Sequence, residues 1–322
     1  MSCDNTKENR SIRGIIPTAA SVCVLMSSYN GEKYLQEQLD SLYEQQGVSM
    51  SILVRDDGST DATQMILDSN CNEHECIRWY TDGHLGPAKS YLNLIAHAPE
   101  ADFYALCDQD DVWDSDKLNR AVDMMRGLRA DEPALYYSNL RIADKDLNYH
   151  RDAHSRPWVM KSKYSALVDA AATGCTMVFN KALCNLLKSR MPDECKMHDE
   201  WIFLVCSFFG TVIYDFEPHI SYRQHGGNVL GTHVDGIALK WLIQKAIRTE
   251  DKSWLPRSVN ARSFLDAYGD MLSERELNGV RKVADCNGSF RNRIALITDS
   301  SIRGMDIKRD LLYRIKVITG RA

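Results

Sequence analysis

The chain has 322 residues and a mass of 36.6 kDa, enough for a large α/β domain or a catalytic core with an appendage. With 44% hydrophobic and 26% charged residues, 8 Pro and 18 Gly, it is neither disordered nor a low-complexity repeat. The net charge of −5 hides an asymmetry: residues 238–322 hold 17 Lys and Arg against 10 Asp and Glu, so residues 1–237 carry −12. An acidic body argues against nucleic acid as a partner, because phosphate backbones need basic surface, and it suits a metal site.

Residues 1–20 read as a mobile tail without the apolar stretch of a signal peptide, and no apolar run approaches the length of a membrane span. The ten irregularly spaced cysteines suit reduced thiols, so the expected location is cytoplasmic. Cys71, His74 and Cys76 crowd together but lack a second pair at zinc-ligand spacing and read as incidental.

The first ordered element is SVCVLMS at 21–27, a buried parallel strand. Tyr34, Leu35, Leu39, Leu42 and Tyr43 then recur at helical spacing up to Gly47. The alternation repeats: strand 51–57, a helix near Thr60, strand 77–80, a helix from Pro87, strand 103–108. Such β-α repeats predict a mostly parallel sheet flanked by helices, with ligands at the carboxyl ends of its strands. The polar clusters SSYN, DDGSTD and DQDD all fall at those ends. Further strands are expected at 134–142 and 175–180, a helix at 197–209, and two closing strands in TVIYDF and HISYRQH. After Gly231 the pattern becomes helical and basic, placing a boundary near 235 between a domain at 21–235 and a helical extension at 236–322.

Chemistry concentrates in YALCDQDDVW, where an apolar strand delivers Asp108, Asp110 and Asp111 together. Packed carboxylates repel one another unless a cation compensates, and Mg²⁺ and similar hard ions take carboxylate and phosphate oxygens. In VRDDGSTD a carboxylate at a strand tip can accept from a base or ribose, or simply form an Asx turn. No GxGxxG or GxxxxGK[ST] motif occurs, so a nucleotide would be held by carboxylates.

Seven motifs in order, VLMSSYNGEKYL, ILVRDDGSTDAT, HLGPAKSYLNLI, YALCDQDDVW, GCTMVFN, HDEW and YRQHGGNVLG, over about residues 21–231, resemble glycosyltransferase family two, with its GT-A fold, and its rhamnosyltransferase-like branch in particular. The resemblance implies an inverting, metal-dependent transfer of a sugar from a nucleotide diphosphate donor, with dTDP-rhamnose preferred and UDP-hexoses as the alternative. The acceptor would be a hydroxyl of a cell-surface glycan or a lipid-linked oligosaccharide. It puts Ser28, Tyr29, Asn30, Asp57, Lys89, Asp108 and Asp110 at the donor, and Asp110 with His225 at a divalent metal, Mg²⁺ or Mn²⁺. Asp199 of HDEW takes the place of the base that deprotonates the acceptor. Asp199 and Glu200 read equally as first-turn acids of a helix, and Lys89 as a solvated charge.

Trp113, Trp201 and Glu200 are expected around the acceptor; for each tryptophan, core packing is the other reading. Glu200 departs from an aromatic position of the family. Outside this class, a metal-dependent nucleotidyltransferase should show a Gly-rich basic loop after the first strand, which SSYNGEKY is not, and a non-catalytic nucleotide-sugar sensor should lack Asp199. At the chain end, Leu311, Leu312, Ile315 and Ile318 line one side of a basic helix within 306–322. That helix either lies on an anionic membrane at the cytoplasmic face or packs on the protein body or on a second copy.

Overall fold

The computed structural model describes residues 19–155, 160–225, 256–305 and 307–321. Residues 1–18 of the expected tail at 1–20, and the boundary near 235, lie outside these residues. Strand β1 (Ser21–Ser28) is the centre of a parallel block, flanked by β2 (Ser49–Asp56) and β4 (Phe103–Cys107), with β3 (Ile77–Thr81) beyond β2. Between them run α1 (Leu35–Tyr43), α2 (Thr63–Glu73) and α3 (Pro87–His97).

Register explains why the polar clusters meet. Ser28 stands opposite Asp56 and Met26 opposite Cys107, so the residues that follow each strand emerge along one edge of the sheet. Period-two alternation sorts the apolar side chains of these strands into two layers. Val22, Val24, Met26, Ala105 and Cys107 pack toward α1, α2 and α4 (Lys117–Met125), whereas Cys23, Leu25, Tyr104 and Leu106 pack toward α3, α5 (Lys181–Ser189) and α6 (His198–Phe209).

Beyond β4 the sheet is mixed. β8 (Val178–Asn180) pairs antiparallel with both β4 and β6 (Ala134–Ala143); β6 pairs parallel with β9 (Thr211–Arg223), and the short β5 (Val112–Trp113) closes on β9. β7 (Tyr149–Asp152) hangs from β6. The two expected closing strands are one: β9 runs through Pro218, which has no N–H for the ladder, and the register with β6 slips there. Likewise, residues 174–176 form a single tight turn before β8 rather than strand.

The C-terminal helices are α7 (Arg257–Tyr268), α8 (Glu274–Ala284), α9 (Phe290–Thr298) and α10 (Ile307–Ile318). They do not form a separate core. α6 is apolar almost all round, as a helix covered on every side must be. Phe264 and Tyr268 of α7 cover it, their rings each 6.1 Å from that of Trp201.

Candidate active site

At the end of β1, Ser28 is buried and donates its hydroxyl to Gln109 Oε1 at 2.7 Å. The same amide accepts from Tyr29 N–H (2.9 Å) and donates to the Tyr29 carbonyl (3.0 Å), tying the first loop to the acidic run. Gly31 is required beside it, since a Cβ there would stand 2.3 Å from Gln109 Oε1. Asn30 adopts a left-handed φ of 49° and joins two loops: its N–H donates to Ser59 Oγ, and its Oδ1 accepts from Thr60 N–H. Tyr29 remains half exposed, its ring 4.8 Å from that of His84.

Asp57 corrects an expectation. Its carboxylate is buried and fully engaged, accepting from Leu85 N–H (2.8 Å) and Gly86 N–H (2.9 Å), paired with Arg55, and 2.9 Å from His84 Nδ1. It shapes the His84–Gly86 loop and has little left to offer a nucleoside. Arg55 in turn donates to Ser90 Oγ and the Gly83 carbonyl. Lys89 is exposed on the first turn of α3.

The acidic run follows β4. Asp108 accepts from the Tyr91 hydroxyl at 2.7 Å, and burial, then repulsion from Asp110, pushes its carboxyl up to about 6. Asp111 is wholly buried; burial and the same neighbour push it well above the carboxylate range. One Asp111 oxygen accepts from Arg223 N–H (3.1 Å), and the other has no hydrogen-bond partner among the described residues. Asp108, Asp111 and the Cys175 thiol bring ligand-type atoms within 4.8 Å of one another. Arg223, at the end of β9, also donates to the Asp110 carbonyl at 2.8 Å, and two residues on His225 Nε2 lies 2.7 Å from Asp110 Oδ2. A strand distant in sequence thus carries an imidazole to the acidic loop.

Across the site, α6 opens on His198, Asp199 and Glu200. Asp199 accepts from Glu200 N–H (2.7 Å) and Gly174 N–H (3.3 Å). Burial and the Glu200 charge raise its carboxyl to about 7, a value suited to taking a proton near neutrality. His198 stacks on Tyr91 at 3.9 Å, and burial drives its imidazole down to about 3. One tyrosine therefore touches both the acidic run and the helix bearing Asp199.

The Glycosyl transferase family 2 model matches residues 23–185, just over half of the sequence. The chain belongs to that family. It is 29% identical over 234 residues to the dTDP-rhamnosyl transferase RfbG of Shigella flexneri, covering 65% of this chain and 74% of the relative. It is 26% identical over 166 residues to the UDP-Glc:alpha-D-GlcNAc-diphosphoundecaprenol beta-1,3-glucosyltransferase WfgD of Escherichia coli, covering 51% of this chain and 62% of the relative. The fold is similar to that of S. aureus TarS 1-349, solved in complex with UDP-GlcNAc, at a TM-score of 0.52 and 15% identity over 93% of this chain and 90% of that one. The protein is accordingly a glycosyltransferase with a GT-A fold.

In this glycosyltransferase the expected acceptor residues are rearranged. Trp201 is 0% exposed, packed on Phe264 and Tyr268, and Trp113 is 3% exposed beneath the Lys117 ammonium, which stands 3.1 Å above its ring. Neither indole can stack on a sugar; both are core. Glu200 is closed off by Lys196 (2.9 Å) and Arg257 (2.7 Å). Burial alone would raise its carboxyl, but Arg257 and Lys196 outweigh that and hold it below its ordinary value. Sequence reading missed Gln109, Tyr91, Gly174 and Arg257; Gln109, inside the DQDD run, carried the most visible signal.

The residues present fit a divalent cation. A buried Asp111 oxygen without a hydrogen-bond partner among the described residues, the Asp108 and Asp111 carboxyls raised by burial and then by repulsion from Asp110, and an imidazole against the Asp110 carboxylate form a donor set that positive charge would stabilise.

Proposed function

We propose that this glycosyltransferase catalyses an inverting, metal-dependent transfer from dTDP-rhamnose to a hydroxyl of a cell-surface glycan or a lipid-linked oligosaccharide, at the cytoplasmic face of the membrane. The observation that carries the reading is Asp199: a half-buried carboxyl raised to about 7, fixed by two backbone N–H groups and close enough to Asp108 to feel its charge. The acceptor hydroxyl attacks the anomeric carbon from the side opposite the diphosphate. The new C–O bond forms as the bond to the diphosphate oxygen breaks, and the hydroxyl proton passes to Asp199. Asp110 and His225 would hold the metal, with Asp108 beside them. A divalent ion bound there would supply positive charge against the departing diphosphate. Ser28, Tyr29 and Asn30 form the nucleoside end of the cleft, with Tyr29 and His84 as its aromatic wall.

The rhamnosyl donor is supported by the similarity to RfbG. The similarity to WfgD favours UDP-glucose as the second reading. Release of nucleoside diphosphate from a panel of dTDP-, UDP- and GDP-sugars in Mn²⁺ tests the choice. Turnover with dTDP-rhamnose above all others is expected, and preference for a UDP-hexose would replace the first donor by the second.

A further inference from the structure

Among the described residues, the hairpin of α9 and α10 leaves an apolar ridge uncovered. The two helices run antiparallel: Arg293 near the start of α9 donates to the Ile318 carbonyl at the end of α10 (3.1 Å), and Arg314 donates to the Ile297 carbonyl. Leu296, Tyr313 and Val317 turn inward and join the common core. At about 3.6 residues per turn, Phe290 and Ile294 on α9, and Ile307, Leu311 and Ile318 on α10, fall between the seam and the outward face of each helix. They line the seam from both sides. Their exposures are 70%, 44%, 78%, 45% and 54%. Single exposed hydrophobics need no explanation, but five along one seam of a two-helix unit gather apolar surface on one side of it.

Charge decides what this surface fits. Residues 290–321 carry eight Lys and Arg against three Asp and Glu, on a chain whose first 237 residues carry −12. Arg291 is exposed beside Phe290. A second copy docked ridge to ridge would set two basic hairpins against each other, whereas an anionic bilayer satisfies the apolar seam and the positive charge at once.

We propose that the α9–α10 ridge docks this protein on an anionic lipid bilayer, its apolar side chains entering the headgroup boundary while the flanking cations meet lipid phosphates. The hairpin is firmly mounted for this: Met305 N–H and Arg309 both bond the buried Asp169 carboxylate, five residues before Gly174. The surface stands without the donor reading, because vesicle binding is measured without turnover.

The test is sedimentation of the full chain with phosphatidylcholine vesicles with and without phosphatidylglycerol, at low and high salt. The variants are the fourfold Phe290→Ser, Ile294→Ser, Leu311→Ser, Ile318→Ser and the single Arg291→Glu, each checked for fold by circular dichroism. Wild type should sediment with the anionic vesicles alone, with binding falling at least tenfold in high salt and in the fourfold variant. If the fourfold variant fails to fold, Arg291→Glu decides alone, with several-fold weaker binding expected. No binding by wild type, equal binding to neutral vesicles, or unchanged binding by a folded variant overturns the proposal. A wild-type dimer that ignores vesicles and dissociates in the variant would make a second copy the occupant.

Discussion

Arg257 closes on Glu200 with both terminal nitrogens, 2.7 Å from one carboxylate oxygen and 3.0 Å from the other. The pair joins the C-terminal helices to the residue next to Asp199, so α7 acts on the electrostatics of the active site. Lys196 meets the same carboxylate, and its own ammonium is brought down to about 8 by burial and by Arg257. Asp108, His198 and Cys195 are further ionisable groups near Asp199 among the described residues, and burial pushes each toward its neutral form.

The pH dependence of transfer should report this arrangement. With Asp199 raised to about 7, activity should climb with pH through neutrality as the base ionises. Glu200→Gln removes the neighbouring negative charge and leaves Arg257 and Lys196 in place, so the midpoint should fall. Arg257→Gln leaves Glu200 less compensated, so the midpoint should rise, and Arg257→Lys should restore much of it. Initial rates across a pH series in the three variants check both directions.

Stability should move the opposite way. A carboxyl raised from 3.8 to about 7 on folding contributes its full stability below the unfolded value, and loses it as pH rises through the folded one. Asp199→Asn should therefore raise the melting temperature at pH 8, by about 2 to 8 °C, and by much less near pH 4. Thermal melts in chelator at the two pH values measure it.

Gly174 has no room for a side chain. A Cβ there would stand 2.8 Å from His198 Nε2 and 3.6 Å from Asp199 Cβ. Gly174→Ala should push the start of α6 away, lowering kcat while leaving donor affinity within about threefold, and costing about 1 to 3 kcal/mol of stability. Steady-state kinetics beside a denaturation curve separate the two effects.

For the metal, Mn²⁺ with nucleoside diphosphate should raise the melting temperature by about 5 °C at a hundredfold excess over the dissociation constant. Asp110→Ala and His225→Ala should each lose most of that shift while melting near wild type without ligand. A full shift in both variants would remove them from the metal site.

The parallel block and its polar edge were legible because β1, β2 and β4 are short, apolar and followed at once by their functional loops; spacing along the chain carries register across the sheet. The mixed half was less so. Pro218 within TVIYDFEPHISYR looks like a strand break, yet β9 absorbs it as a register slip. The acidic run and HDEW stood out as local patterns, whereas the Asp110–His225 contact joins residues 115 apart and the Arg257–Glu200 pair residues 57 apart. The tryptophans show the limit of composition: an indole next to a motif reads as a sugar platform, and only three-dimensional packing reveals that Phe264 and Tyr268 cover Trp201. The C-terminal helix was half legible. Tyr313 and Val317, rather than the aliphatic stripe, face the core.

Everything in the proposed transfer turns on Asp199 taking the acceptor proton. Asparagine at this position keeps the shape and cannot accept that proton, so the most direct measurement is the transfer rate of Asp199→Asn at saturating donor and metal, alongside donor affinity. With Asp199 as the base, the rate should fall by about 10² to 10⁴ with donor affinity unchanged. A rate within about threefold of wild type would contradict it.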